Sequence, residues 1–124
     1  MSYRILIKAG AVTAEGVLND TPTAKAVWDA LPLTGKANTW GDEIYFAIPV
    51  KLDLEPTAQE IVDLGDLGYW PSGRAFCIFF GPTPASTGNE IRPASAVTII
   101  GRIEGDPTVF TQVKDGARVQ IDPA

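Results

Sequence analysis

The hydrophobic positions at the start of the chain alternate with other residues, which predicts a β-hairpin. Ile5 and Ile7 recur at a period of two, as expected for a strand with one buried face. Gly10 then provides a turn, and residues 11–18 predict the partner strand, although Gly16 weakens it. The chain therefore begins with two antiparallel strands.

One helix is predicted after this hairpin. Thr21 is suited to cap the first amides, and Pro22 fits the first helical position, where no amide hydrogen needs a partner. Four apolar residues then recur at helical spacing: Ala24, Val27, Trp28 and Leu31. Pro32 disfavours helical geometry in the residue before it, so the helix is predicted over residues 21–31. Trp28 is interpreted as its anchor in the core, with ligand stacking as the alternative.

Beyond the helix the period returns to two and predicts a series of short strands. They are expected around residues 43–48, 61–64, 75–80, 97–103 and 119–121. For residues 61–64 a single helical turn is the alternative. The run 75–80 lacks alternation, so it is expected to be a central strand covered on both faces. In the next strand, Val97, Ile99 and Ile103 are assigned to one face. Residues 106–112 predict a short helical turn.

These elements predict a mainly β domain. One clear helix stands among about eight short strands, and the loops are rich in glycine and proline, as is typical of a closed β-barrel. The chain has 124 residues, of which 45% are hydrophobic and 20% charged, which indicates a single domain over residues 1–124. The 12 glycines and 10 prolines fit its turns.

Charge and hydropathy restrict the partners and the location. The net charge is −5 and no basic cluster is present, which argues against nucleic acid as a partner. The apolar stretch at the N-terminus is too short for a signal peptide, and no later segment has the length of a membrane span. We therefore expect a cytoplasmic protein with no membrane partner and an unknown oligomeric state.

The chemistry of the side chains excludes several catalytic classes. The chain contains no histidine, which excludes catalytic triads and zinc sites that depend on it. The one cysteine, Cys77, lies in an apolar run and is expected to be an unreactive core residue. Four carboxylates lie near aromatic residues: Asp42, Glu43, Asp66 and Glu90. They lack the spaced loop of a calcium site, and the sequence does not fix the separation that a pair for glycoside hydrolysis needs, so we interpret them as solvated or salt-bridged surface groups. We expect neither a metal nor a cofactor.

Aromatic residues concentrate beside two Gly-Asp sequences. Residues 40–46 and 64–70 both contain Gly-Asp followed, after two residues, by a tyrosine and a second aromatic residue. Gly-Asp is ordinary turn chemistry, but aromatic residues with a polar tip also line pockets. The candidate ligand-binding residues are Thr39, Trp40, Glu43, Tyr45, Tyr69, Trp70, Glu90 and Arg92. In this interpretation Glu43 and Arg92 orient polar ligand groups. The alternative is that the same residues only close the ends of the barrel.

Several segments, in order along the chain, resemble one family. They are residues 18–24 (LNDTPTA), 40–46 (WGDEIYF), 65–71 (GDLGYWP), 75–84 (AFCIFFGPTP) and 91–95 (IRPAS). They look like the small prokaryotic cyclophilin-like family of uncharacterised proteins, and the resemblance covers essentially the whole chain. It implies a compact eight-stranded cyclophilin-type barrel with reduced helical content, and it implies no settled activity.

The resemblance leaves two expectations for function. Cyclophilins isomerise Xaa-Pro bonds with an arginine followed by Phe-Met-x-Gln and with a tryptophan and a histidine further on. This chain has no Phe-Met-x-Gln and its one methionine is Met1, so no catalytic residue is carried over and catalytic residues stay unknown. The first expectation is a domain that binds a small molecule or a peptide in a cleft on the side of the barrel. The alternative is a weak or altered peptidyl-prolyl isomerase, since that reaction mainly needs a cleft that favours the twisted amide.

Overall fold

Nine antiparallel strands form one sheet that curls into a nearly closed barrel, in a computed structural model that describes residues 3–124. The strands are β1 (Tyr3–Ala9), β2 (Val12–Leu18), β3 (Leu33–Lys36), β4 (Asn38–Thr39), β5 (Glu43–Ala47), β6 (Asp66–Trp70), β7 (Ala75–Phe79), β8 (Thr98–Ile103) and β9 (Arg118–Pro123). Their order in the sheet is β3-β9-β1-β2-β8-β6-β7-β5-β4. The helix α1 spans Pro22–Asp29, and short 3-10 helices span Pro71–Gly73 and Pro107–Gln112. Met1 and Ser2, which begin the segment compared above with a signal peptide, lie outside the described residues.

The two edges of the sheet are joined by a single residue. β3 pairs with β9 and β4 pairs with β5, and only Ala37 separates β3 from β4. The Ala37 amide donates to the Ala117 carbonyl oxygen at 2.7 Å, and its carbonyl oxygen accepts from the Gly116 amide at 2.7 Å. Residues 33–39 thus act as one bent strand that belongs to both edges. Counted in this way the barrel has about eight strands, which confirms the predicted fold class.

The interior of the barrel is filled by alternate residues of the strands. Ile5 and Ile7 of β1 are fully buried, as are Val119 and Ile121 of β9, which confirms the predicted alternation in both strands. Each large aliphatic side chain buried in this way contributes roughly 1.5–3 kcal/mol to the stability of the fold. The aromatic side chains of the interior are Phe46, Tyr69, Phe76, Phe80 and Phe110.

Helix α1 begins where the sequence predicted and ends earlier. The Thr21 hydroxyl accepts a hydrogen bond from the Ala24 amide at 3.1 Å, which confirms the cap. The helix stops at Asp29 rather than near residue 31, because the residue before Pro32 is held out of helical geometry and the last turn closes one residue earlier. The half-buried ring of Trp28 packs against the core, 5.0 Å from the ring centroid of Tyr3. Trp28 therefore anchors the helix.

Three strand predictions need correction. Residues 61–64 were expected to form a strand, but they lie over the outside of the barrel, where Val62 alone forms a bridge, with Ile91. The side chains beside it are about half exposed, at 48% for Ile61 and 50% for Leu64. Conversely, β3, β4 and β6 were not assigned as strands, because their glycine, polar and charged residues resemble turn chemistry.

The third correction concerns the faces of β8. Val97, Ile99 and Ile103 were assigned to one face, but Ile103 lies in the barrel interior and the other two lie in a separate apolar cluster outside it. The pairing of β6 with β8 skips Ile100, which is the extra residue of a β-bulge. A bulge inserts one residue into the strand, so the alternation changes phase after it. Residues 106–112 form the predicted helical turn, Pro107–Gln112.

Candidate functional site

Strand β7 is buried on both faces, as predicted, and separates two apolar clusters. Phe76 and Ile78 belong to the interior cluster, whereas Ala75, Cys77 and Phe79 belong to a cluster on the outside of the barrel. Three residues from outside the neighbouring strands complete the outer cluster: Val62, Ile91 and Val97. We call the outer face of β5, β6, β7 and β8 the outer wall. Loops cover part of it, and a pocket opens beside them.

The pocket on the outer wall has a volume of about 210 Å³. It is lined by Trp40, Glu43, Tyr45, Trp70, Pro93, Ala94 and Val97. Glu43 and Tyr45 are two residues apart on β5, so both side chains project to the same face of the strand. Trp70 ends β6, and Trp40 lies in the turn before β5. The pocket therefore contains four of the eight residues that the sequence proposed for a ligand site.

Aromatic side chains form the walls of this pocket and are held in place. The rings of Tyr45 and Trp70 meet edge to face, with centroids 6.2 Å apart. The Trp70 indole Nε1 donates to the Ser95 hydroxyl at 2.6 Å, which fixes the orientation of the indole. The Trp40 amide donates to the Glu43 carbonyl oxygen at 3.0 Å and closes the turn before β5. The Trp70 ring and the backbone turn that carries Trp40 are therefore both held in place by the protein itself.

Glu43 is the one carboxylate in the lining of the pocket. Its side chain is only 5% exposed, and its Oε1 atom is buried without a hydrogen-bond partner. Burial raises the pKa of Glu43 to about 7, and the neighbouring Cys77 thiol offsets only part of that rise. Near neutral pH the carboxyl group therefore exists in both protonation states, and Oε1 has no partner within the protein.

Cys77 lies on β7 opposite Tyr45 and is fully buried. Burial raises the pKa of its thiol well above the ordinary value, and the nearby charge of Glu43 raises it further. The thiolate is the reactive form of cysteine, so this thiol is unreactive in the folded protein. The expected core role of Cys77 is confirmed by its position.

Two of the proposed ligand residues lie elsewhere because of strand geometry. Tyr69 precedes Trp70 on β6, so its side chain points to the opposite face, into the barrel, where its hydroxyl donates to the Val50 carbonyl oxygen at 2.5 Å. Thr39 lies on β4, where its amide and hydroxyl donate to Asp115 at 2.9 and 3.2 Å. Tyr69 therefore packs in the core, and Thr39 ties β4 to a turn. Neither lines the pocket.

The other two, Glu90 and Arg92, shape a loop. The Glu90 carboxylate accepts from the amides of Thr87 and Gly88 at 3.0 and 2.8 Å, and from the Arg92 Nε at 3.3 Å. The hydrogen bonds from Thr87 and Gly88 lower the pKa of Glu90 to about 2. These contacts hold the turn ahead of Ile91, and neither side chain lines the pocket. The role of Arg92 in orienting a ligand stays a prediction without a contact to support it.

The four carboxylates singled out in the sequence do not meet at one place. Asp42 lies against Gly81, and Asp66 lines a separate pocket with Asn19 and Arg102. Glu43 is thus alone in the outer-wall pocket. Within residues 3–124, no group of three or more histidine, cysteine, aspartate or glutamate side chains is placed to hold a metal ion. In the same part of the chain, no helix has the length and apolar character needed to cross a membrane.

Sequence reasoning did not single out Pro93, Ala94 and Val97, which form the loop side of the pocket. Their side chains carry no chemical group that would point to a site, and Val97 was interpreted as a strand residue. The loop is held in place by two hydrogen bonds between the backbones of Gln59 and Val97, at 2.8 and 3.0 Å. The only available signal was the family resemblance of residues 91–95.

The fold and the pocket define a small single-sheet β-barrel with a cleft on its outer wall. A family model described as Cyclophilin-like matches residues 2–122, and the chain therefore belongs to the cyclophilin-like family, as the sequence segments predicted. The fold is similar to the solution structure of the hypothetical protein AF2241 from Archaeoglobus fulgidus, with a TM-score of 0.84. The two chains are 41% identical, and the match covers 99% of this chain and 95% of the other. No curated protein matches the chain.

Proposed function

We propose that this domain is a binding protein whose outer-wall pocket takes a small molecule or one side chain of a peptide. The observation that carries the proposal is Glu43, the one carboxylate that lines a pocket with aromatic walls, whose Oε1 is buried without a hydrogen-bond partner. A buried acceptor left unpaired costs roughly 1–3 kcal/mol, and more if the group is charged. A ligand that donates a hydrogen bond to Glu43 would recover that free energy on binding.

The size and lining of the pocket support a small ligand. Its volume of about 210 Å³ is below the roughly 300–1,000 Å³ of pockets that hold drug-sized molecules. Its lining is mainly aromatic and aliphatic, with one carboxyl group to set the orientation of a ligand, which is the usual composition of such sites. The hydrogen bond from Trp70 to Ser95 keeps the walls in place, so little side-chain entropy is lost on binding.

Catalysis of prolyl isomerisation is the alternative raised by the sequence. The seven residues that line the pocket include no arginine to polarise a proline peptide bond. We therefore assign binding to this site and expect a protease-coupled isomerisation assay to give the uncatalysed rate. An acceleration that is lost in Tyr45→Ala would assign the alternative instead.

Binding is tested by screening small fragments and recording the indole signals of the protein by NMR. The chain has 3 tryptophans, of which Trp40 and Trp70 line the pocket, whereas Trp28 lies on α1 against the core. We expect fragments to shift the indole signals of Trp40 and Trp70 and to leave that of Trp28 unchanged. If no fragment shifts Trp40 or Trp70, or if Trp28 shifts equally, the pocket is not a binding site.

A further inference from the structure

We propose that the ligand of the outer-wall pocket is an alkylammonium group, a protonated amine on a short apolar chain, held by the Glu43 carboxylate and the surrounding aromatic rings. This inference rests on the proposed function and adds the chemical class of the ligand. It is carried by the charge of the pocket, the unpaired acceptor and the nature of the walls.

The outer-wall pocket contains an acid and no base. The ion pairs within residues 3–124 are Arg4 with Glu104, Lys25 with Asp29, and Arg92 with Glu90. None of them includes Glu43, and the lining of the pocket contains no basic residue. The pocket thus holds a buried acid and no positive charge of its own. A cationic ligand supplies the missing charge, whereas an anionic ligand would be repelled.

Glu43 lines the pocket, and no donor of the protein pairs with its Oε1, so the carboxyl group keeps acceptor capacity for a ligand. An ammonium group carries three donors and a positive charge, and hydrogen bonds between charged groups are roughly twice as strong as those between neutral ones. A neutral alcohol satisfies the acceptor but leaves the charge uncompensated. The ammonium group satisfies both.

The aromatic walls of the pocket also favour a cation. The faces of tryptophan and tyrosine rings attract cations within about 6 Å of the ring centroid, and tryptophan does so most strongly. Trp40, Tyr45 and Trp70 all line the pocket, and the centroids of the last two are 6.2 Å apart. A small cation in the pocket therefore lies beside aromatic rings. The apolar residues Pro93, Ala94 and Val97 fit the alkyl chain that carries the ammonium group.

The titratable groups around Glu43 do not hold its carboxyl group in the ionised form. Cys77 on β7 stays a neutral thiol, and on the preceding turn Asp42 lies against Gly81. Tyr45 is the other titratable group of the lining. An ammonium ligand favours the ionised form of Glu43, so its affinity should rise with pH. A neutral or anionic ligand that accepts a hydrogen bond from protonated Glu43 would bind more weakly as the pH rises.

The test compares three probes of matched length, namely butylammonium, 1-butanol and butyrate, by titration of the Trp40 and Trp70 indole signals at constant ionic strength. We expect butylammonium to bind roughly tenfold more tightly than 1-butanol, and butyrate not to bind. If 1-butanol or butyrate binds as tightly as butylammonium, the pocket is a binding site but the assignment to ammonium is wrong. If none of the three binds, and the fragment screen also finds nothing, the proposed function itself is wrong.

A second measurement keeps the test independent of any one variant. Glu43→Gln should weaken butylammonium binding and bring its affinity close to that of 1-butanol, with the aromatic rings left as the remaining source of preference, whereas Glu104→Gln, which removes a carboxylate outside the pocket, should leave it unchanged. In the wild-type protein the affinity should rise by roughly tenfold or more from about pH 5.5 to about pH 8.5, as Glu43 ionises. An affinity that is independent of pH, or that falls as the pH rises, overturns the assignment.

The source of the ammonium group is resolved by a further pair of probes. A blocked peptide with one lysine presents butylammonium on a peptide backbone, and the same peptide with norleucine lacks the charge. Tighter binding of the lysine peptide than of free butylammonium assigns the pocket to a lysine side chain. Tighter binding of the free amine assigns it to a small molecule. Equal binding of the lysine and norleucine peptides and of 1-butanol contradicts the inference.

Discussion

The carboxyl group of Glu43 is buried, and the folded protein provides no hydrogen-bond donor for its Oε1 atom. Its neighbours on the outer wall are aromatic or aliphatic, apart from the thiol of Cys77. The fold therefore stabilises the neutral acid and raises the pKa to about 7. Perturbed carboxyl groups in clefts are common at functional sites, and here the perturbed group lines a pocket and has one buried oxygen without a partner.

This burial makes stability depend on pH in a defined direction. The folded state binds the Glu43 proton more tightly than the unfolded state does, so the contribution to stability is complete below the ordinary pKa of 4.5 and is lost as the pH rises to about 7. Glu43→Gln removes this dependence. Relative to the wild type, we expect the variant to gain about 3 kcal/mol at most in free energy of unfolding between pH 5 and pH 8. Urea denaturation of both proteins at the two pH values measures the difference.

The control for this prediction is Glu104→Gln, whose side chain is exposed and paired with Arg4. Its free energy of unfolding should follow the wild type between pH 5 and pH 8. A Glu43→Gln protein with the same pH dependence as the wild type would show that Glu43 is not buried as the structure places it.

Neighbouring residues show how far a candidate site is predictable from sequence. The two Gly-Asp sequences with their aromatic residues pointed to a set that does meet in the pocket: Trp40, Glu43, Tyr45 and Trp70. It also pointed to Tyr69, which the strand turns into the barrel. Aromatic character is a property of a residue, but the face on which it lies depends on the register of the sheet. Tyr69 and Trp70 are therefore adjacent in the chain, but their side chains lie on opposite faces of β6.

At the scale of elements, the bulge in β8 decides which residues face the pocket. Ile100 has no partner in β6, so the alternation of inward and outward side chains along β8 shifts by one residue there. This places Val97 on the outer wall and Ile103 in the interior. A period of two in the sequence carries no mark of an inserted residue, so the alternation alone could not predict this change. By contrast, β7 was predictable, because its unbroken apolar run requires burial on both faces.

Gly101, next to the bulge, provides a test of this arrangement. A Cβ atom at this position would lie 2.2 Å from the Val17 carbonyl oxygen of β2, and a backbone atom within the sheet cannot move away. We expect Gly101→Ala to lower the free energy of unfolding by roughly 1–3 kcal/mol, as overpacking does in other cores. Thermal or urea denaturation measures the loss.

Gly88→Ala is the matched control, since its Cβ would meet only the Glu90 carboxylate at an ordinary 3.6 Å. It should leave stability unchanged or raise it by roughly 0.4–1 kcal/mol, because alanine reduces the entropy of the unfolded chain. Equal effects of the two substitutions would contradict the close approach of β8 to β2.

At the scale of the whole molecule, closure of the barrel leaves the outer wall as the place for a site. The interior is filled by apolar side chains, and residues 33–39 join the two edges of the sheet. The pocket therefore forms between the wall and the loop of Pro93 and Ala94. The net charge of −5 favours the approach of cations, in agreement with an ammonium ligand. The mainly β class was predictable from patterning, whereas this closure depends on contacts between distant segments.

If Glu43 is a buried acid whose partner is a cationic ligand, the titration of its carboxyl group must show both properties. The carboxyl carbon of Glu43 can be followed by NMR as the pH changes, with and without butylammonium. The account predicts a pKa of about 7 in the free protein and a lower pKa with the amine present. A pKa near the ordinary 4.5, or one that butylammonium does not change, would contradict it.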